Sequence, residues 1–90
     1  MGIADAWVYI LRCADGSLYA GWCTDPARRL REHRAGRASR YTASRLPVEI
    51  AFVRELADRR AARREEARIK ALTRAEKLAL IEDHGAGTRR

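Results

Sequence analysis

The segment LYAGWCTDPARRLREH, residues 18–33, gathers side chains that packing does not account for. It holds a phenol at Tyr19, a glycine at Gly21, guanidiniums at Arg28, Arg29 and Arg31, and an imidazole at His33. Arg29 and His33 have the i, i+4 spacing that puts two side chains on one side of a helix. A second phenol, Tyr9, precedes this segment, and a carboxylate pair, Glu65 and Glu66, follows it in a later amphipathic stretch. Arginine's planar fork matches phosphate oxygens in a way lysine does not. The chemistry this set suggests is therefore the binding of phosphate. Hydrolysing a phosphodiester would ask for more: an activated water, charge stabilisation on the phosphoryl oxygens and a stabilised leaving oxygen.

The whole chain carries the same bias. Lys plus Arg number 19 against 12 Asp plus Glu, a net charge of +7, and only Lys70 and Lys77 are lysines. A high-GC genome would also favour arginine over lysine, but it would not create the net charge. A basic surface draws polyanions, so a nucleic acid is the leading partner. Ninety residues suffice for one domain with a modest core, acting as a monomer or a dimer. No run approaches the apolar length of a membrane span, and MGIADAWVYI lacks the basic start of a secretory signal. The expected location is the cytoplasm. Cys13 and Cys23 have neither CxxC spacing nor nearby ligand partners, and read as reduced packing residues.

These side chains need elements to hold them. AWVYILRC (6–13) is rich in β-branched and aromatic residues and reads as a strand. ADGS (14–17) is a turn, and LYAGWC (18–23) returns as the second strand of a hairpin. In TDPARRLREHRAG a helix is punctuated by Asp25 or Thr24 as cap, Pro26 at its first position and Gly36 at its stop, with Leu30 buried. RASRYTASRLP (37–47) is a polar, basic loop with room for one helical turn. VEIAFVREL (48–56) is a third strand, apolar at Val48, Ile50 and Phe52, with Val53 out of step. Asp58 opens a long helix in which Ala62, Glu66, Ile69 and Leu72 share a broad face. Thr73 and Glu76 form a capping box for a last helix through KLALIED, and the end of the chain, from residue 83 or 84, reads as a frayed tail. The expectation is one α+β domain over 1–90, a three-stranded antiparallel sheet flanked by helices in the order β-β-α-β-α-α.

Whether Tyr9 and Tyr19 cooperate depends on the hairpin turn, because a one-residue slip in register turns every side chain to the other face. A two-residue loop at Asp15-Gly16 pairs Ala14 with Ser17 and puts the phenols on opposite faces. A three-residue loop with Gly16 left-handed pairs Cys13 with Ser17, and then Tyr9, Tyr19 and Gly21 share one face. Gly21 would lie opposite Tyr9 and leave room beside the phenol. The sequence permits both.

Four short motifs, VYI at 8–10, YAG at 19–21, DPARRLREH at 25–33 and REEARIKAL at 64–72, stand in the order and separation of the GIY-YIG nuclease superfamily. With GRASRYT and TRAEKLALI between and after them, the chain from Trp7 to Ile81 resembles the small, single-domain UPF0213 branch. It departs from the pattern in having Val8 for the first Gly, Ala20 for the Ile of the second motif, and no Asn at all. The resemblance implies a phosphodiester hydrolase that uses one divalent metal, Mg²⁺ or Mn²⁺, and water as nucleophile. DNA is the implied substrate, in repair or recombination, with RNA a second candidate and specificity drawn from DNA shape or a partner protein.

Carried over residue by residue, the family's two tyrosines fall on Tyr9 and Tyr19, its helical arginine on Arg29, its histidine on His33 and its metal-binding glutamate on Glu66. An ordinary phenol has a pKa near 10, and a metal and Arg29 beside it would favour the phenolate; either tyrosine fits that role. Arg28 and the segment holding Arg37, Arg40, Tyr41 and Arg45 are expected to meet the nucleic-acid backbone, with Tyr41 able to stack on a base. Two other readings compete. A nucleic-acid-binding module with the nuclease fold and little turnover would suit the missing Asn. A basic structural protein would explain the charge alone.

Overall fold

A computed structural model describes residues 6–88, so the first five residues and the last two of the tail lie outside it. The elements are strands β1 (Ala6–Cys13) and β2 (Leu18–Cys23), helices α1 (Pro26–Arg34) and α2 (Arg40–Ala43), strand β3 (Val48–Leu56), and helices α3 (Arg59–Lys70) and α4 (Arg74–Thr88). The strands form one antiparallel sheet in the order β2-β1-β3, giving the expected α+β fold.

β1 is the central strand, and Val8, Tyr9, Ile10 and Leu11 are buried in succession. An unbroken apolar run is what a strand covered on both faces requires. On one face Val8 and Ile10 pack with Ala20, Phe52 and Ile69, beneath Leu72, Leu80 and Ile81 of the C-terminal half. On the other, Tyr9, Leu11 and Cys13 pack with Cys23 and Val48, against Leu30 of α1. Each fully buried Val, Leu, Ile or Phe contributes about 1.5–3 kcal/mol, so two thin cores share the load. Both cysteines are buried and free, as their spacing suggests.

The hairpin takes the three-residue loop. The Cys13 amide donates to the Ser17 carbonyl at 2.9 Å, the Gly16 amide donates to the Cys13 carbonyl, and Gly16 has φ 86°. Asp15 Oδ1 accepts from the Ser17 amide at 3.0 Å and braces the turn. Tyr9 is thereby paired with Gly21 and Leu11 with Tyr19, so both phenols share a face. The approach is close: a Cβ on Gly21 would lie 2.5 Å from Tyr9 Oη and 2.7 Å from its Cζ.

β3 does not keep the simple alternation expected of it. Ile10 pairs with Phe52 but Leu11 pairs with Ile50, so Ala51 is an extra residue in a bulge. The bulge reverses the phase of the strand. Val48, Ile50 and Val53 face α1, while Phe52 faces the opposite core. Val53, out of step in the sequence, was the trace of that reversal.

The 37–47 segment takes the one helical turn it had room for, as α2, whose cap is Ser39 accepting from the Thr42 amide at 3.1 Å. The last helix runs to Thr88, so the stretch expected to fray from residue 83 or 84 is helical as far as it is described. The remaining punctuation holds. Asp25, rather than Thr24, caps α1 through the Arg28 amide, and Gly36 follows its end with φ 77°. Asp58 caps α3 through the Ala61 amide at 2.8 Å, and Thr73 and Glu76 exchange both capping-box bonds. Each cap contributes about 1 kcal/mol.

Gly21→Ala should cost about 1–3 kcal/mol, as overpacking does in a filled core, because the phenol it would strike is buried and hydrogen-bonded at its tip. Urea denaturation measures this. A variant with the wild-type midpoint would mean that Tyr9 is free to move aside.

Candidate active site

Hairpin, α1 and α2 bring four of the five expected catalytic residues together on the α1 face of the sheet. Tyr9 comes from the central strand and Tyr19 from the edge strand, while Arg29 and His33 project from successive turns of α1. Tyr9, Arg29 and His33 line one tight recess with Leu30 and Ile50. His33 is 1% exposed and lies edge-on to both phenols, with ring centroids 5.7 Å from Tyr9 and 5.4 Å from Tyr19. Its Nε2 shares a hydrogen bond with Tyr9 Oη at 2.9 Å, and its Nδ1 shares one with Thr42 Oγ1 at 2.7 Å. Thr42 is itself fully buried and bonded to Ser39 Oγ at 2.9 Å.

Sequence reasoning passed over Ser39 and Thr42. The signal was present as a serine three residues before a threonine, the spacing of an N-cap.

The electrostatics follow from burial and from Arg29. Burial pushes the Tyr9 phenol up to about 12, although the neighbouring Arg29 guanidinium pulls the other way. Burial, aided by the charge of Arg29, lowers His33 below the ordinary imidazole value, and Glu32 only partly offsets it. Burial alone would weaken Arg29 as a cation, but the Tyr9 phenol and Glu32 outweigh it and raise its pKa. Arg29 Nε lies 3.0 Å from Glu32, which also holds Arg28 at 3.6 Å. Glu32 carries no motif of its own in the sequence.

Tyr19 is placed differently from Tyr9. It is only partly buried. Its hydroxyl makes no intramolecular hydrogen bond among the described residues, and no such atom is buried without a partner, so that oxygen is open to solvent. Its ring stacks on Tyr41 at 5.8 Å, and the Arg45 guanidinium covers Tyr41 at 3.8 Å. Arg45 is therefore not a free cation awaiting phosphate. Its Nε donates to Asp15 Oδ2 at 3.1 Å and its Nη1 to the Tyr41 carbonyl, pinning α2 to the hairpin turn. The side chains of Arg37 and Arg40 are exposed and unpaired among the described residues.

Glu66 stands apart from this cluster, on α3 in the opposite layer. Glu65 on the same helix pairs with Arg54 of β3 at 2.9 Å, while the Arg63 guanidinium lies 5.9 Å from the ring of Trp22 on β2. At about 3.6 residues per turn, Glu66 falls on the flank of α3 that carries Arg63, next to buried Ala62 and Ile69. Its side chain is 23% exposed and pairs with Lys70 at 3.4 Å. Tyr19 and Glu66 thus belong to opposite layers of the fold. Among the described residues no three His, Cys, Asp or Glu side chains come together as a metal cage. What remains is an oxygen donor on a rigid helix. That suits Mg²⁺ or Mn²⁺, which can be bound through one carboxylate, waters and substrate phosphates, and does not suit a structural zinc.

Known proteins resemble this chain in sequence and in fold. A family model described as the GIY-YIG catalytic domain matches residues 5–79. A UPF0213 protein of Streptococcus sanguinis is 45% identical over 78 residues, covering 87% of this chain and 90% of its own. The UPF0213 protein NP_0776A of Natronomonas pharaonis is 44% identical over 80 residues, covering 89% and 94%. The solution NMR structure of the UPF0213 protein BH0048 from Bacillus halodurans superposes with a TM-score of 0.59 at 36% identity, over 89% of this chain and 85% of that one. With its fold, its paired tyrosines and these relatives in agreement, the chain belongs to the GIY-YIG family, among the UPF0213 proteins.

Proposed function

We propose that this protein is a metal-dependent endonuclease hydrolysing phosphodiester bonds in DNA, with Tyr19 and Arg29 facing the scissile phosphate and Tyr9 supporting them. The observation that carries this reading is the convergence of two phenols, a guanidinium and a buried imidazole on one sheet face of a nuclease-family chain. Arg29 can offer its fork to two phosphoryl oxygens. Tyr9 holds its proton too tightly to act as a base near neutral pH. Tyr19, whose hydroxyl meets solvent, is the phenol that orients or deprotonates the attacking water.

His33 is too buried to touch substrate and acts as a positioning residue between the two rings. Arg28, Arg37 and Arg40 track backbone phosphates along α1 and α2. Tyr41 and Arg45 wall the site and present the guanidinium plane and ring edge on which an exposed base can stack.

Glu66 would hold the Mg²⁺ or Mn²⁺ ion, which when bound supplies charge on the phosphoryl oxygens and a more acidic water. Its present partner Lys70 is 54% exposed, and such a surface pair costs little to break. That same pair favours the second reading, a nucleic-acid-binding module whose glutamate is already satisfied. No helix of the described residues is long and apolar enough to cross a membrane, and a cytoplasmic site of action belongs to the same proposal.

Cleavage of labelled duplex, single-stranded, nicked, flapped and branched DNA, and of RNA, with Mg²⁺, Mn²⁺ or EDTA, tests the reading. Glu66→Gln should abolish metal-dependent cutting while leaving binding intact. Arg29→Ala should lower kcat/KM by about 100-fold or more. Tyr19→Phe should cost more than Tyr9→Phe; the reverse order would exchange their roles. Tight, salt-sensitive binding with no cutting on any substrate would establish the binding module instead.

The burial of Tyr9 has its own test. In a spectrophotometric alkaline titration one of the three tyrosines should ionise only near pH 12, and Tyr9→Phe should remove that late step. Because folding raises this pKa from 10.0, the stability it lends is complete below pH 10 and is lost as the pH climbs toward 12. His33 has the opposite sign. Its folded pKa lies below 6.5, so its contribution is present above that pH and drains away as the pH falls. A step removed by Tyr9→Phe that lies near pH 10 instead would contradict the buried placement.

A further inference from the structure

Buried hydrogen bonds have a direction, and here the direction is determined by what surrounds each end. Tyr9 Oη lies beside Arg29, which has only donors to offer. Of the two groups that hydrogen-bond that hydroxyl among the described residues, only His33 Nε2, at 2.9 Å, has a lone pair with which to accept its proton. If Nε2 carried the imidazole proton, the proton of the buried phenol would have no acceptor, at a cost of about 1–3 kcal/mol. Nε2 must therefore accept, and Nδ1 must carry the N–H and donate to Thr42 Oγ1 at 2.7 Å. Thr42 in turn spends its own proton on Ser39, with Ser39 Oγ at 2.9 Å and the Ser39 carbonyl at 3.5 Å. Each donor from Arg29 to Thr42 then has an acceptor, and the series Arg29, Tyr9, His33, Thr42, Ser39 runs one way.

We infer that Thr42, held by Ser39, is a positioning residue that locks His33 in its Nδ1-protonated tautomer and so turns the lone pairs of Tyr9 toward Arg29. The consequence for chemistry rests on the nuclease reading above, but the tautomer does not. Thr42 would touch neither substrate nor metal. It acts through His33, from the inner side of the short helix whose outer side carries Arg40 and Tyr41.

Nitrogen-15 NMR of the imidazole in the full chain reports the tautomer directly, with or without turnover. In the wild type, His33 should show a protonated Nδ1 and a bare Nε2 at neutral pH. Thr42→Val, close in shape but lacking the acceptor, should lose that single form, and Thr42→Ser should restore it. Ser39→Ala, which leaves the Ser39 carbonyl in place, keeps the question open to test if Thr42→Val fails to fold; it should shift the tautomer population in the same direction by less. In the cleavage assay Thr42→Val should lower kcat about tenfold, the worth of one hydrogen bond of ordinary net strength, with KM little changed and Thr42→Ser near wild type. A protonated Nε2 in the wild type, or an unchanged tautomer in Thr42→Val, overturns the inference. If the wild type cuts nothing, the nuclease reading falls and the tautomer measurement still decides this one.

Discussion

A phenol laid against the backbone of the neighbouring strand can exist only where that strand has no side chain. Tyr9 meets this condition at Gly21, and the active-site candidate is organised around that contact. The contact demands cross-strand pairing of the two residues, which in turn demands the three-residue turn with Gly16 at positive φ. It fixes the height of the phenol tip, and the tip meets His33 from α1. His33 then separates Tyr9 from Tyr19 and reaches α2 through Thr42. Removing water from this stack is what makes Tyr9 a weak acid and His33 a weak base.

Elements with strong local signals were readable from the sequence: both hairpin strands, the capped helices α1 and α3, and the capping box at Thr73. Features decided by tertiary contact were not. The hairpin register stayed open because Asp15-Gly16 suits two turn types, and only the packing of two opposite faces chooses between them. The bulge at Ala51 left one faint sign in Val53. A helix as short as α2 has no stability of its own. It forms because Tyr41 stacks on Tyr19, Arg45 clasps Asp15 and the Ala14 amide donates to the Arg45 carbonyl at 2.9 Å. The candidate site residues Tyr9, Tyr19, Arg29 and His33 were named through family spacing, whereas Ser39, Thr42 and Glu32 matter through contacts with His33 and Arg29 that only the fold creates.

Charge is also distributed with more internal purpose than a count suggests. Glu32 restrains Arg28 and Arg29, Glu65 binds Arg54 and Arg68, and Asp15 takes Arg45. Arg74 reaches back to the Gly16 carbonyl at 2.9 Å and ties α4 to the hairpin turn. Several arginines of this basic chain are thus occupied as struts. The cations left over around α1 and α2, Arg37 of the connecting segment and Arg40 among them, belong to the layer that covers the tyrosines, while Glu66 is carried by α3 in the other layer.

On α2, neighbouring residues look in opposite directions: Tyr41 is exposed and Thr42 is fully buried against His33. One turn of backbone therefore serves as both the rim of the cleft and the foundation of its floor. Such a segment is a poor cassette. Grafting a different loop here to retarget the protein would also knock out the prop beneath Tyr9. The outer face of α1 has no comparable entanglement, so new preferences could be installed there by substitution, without rebuilding the interior.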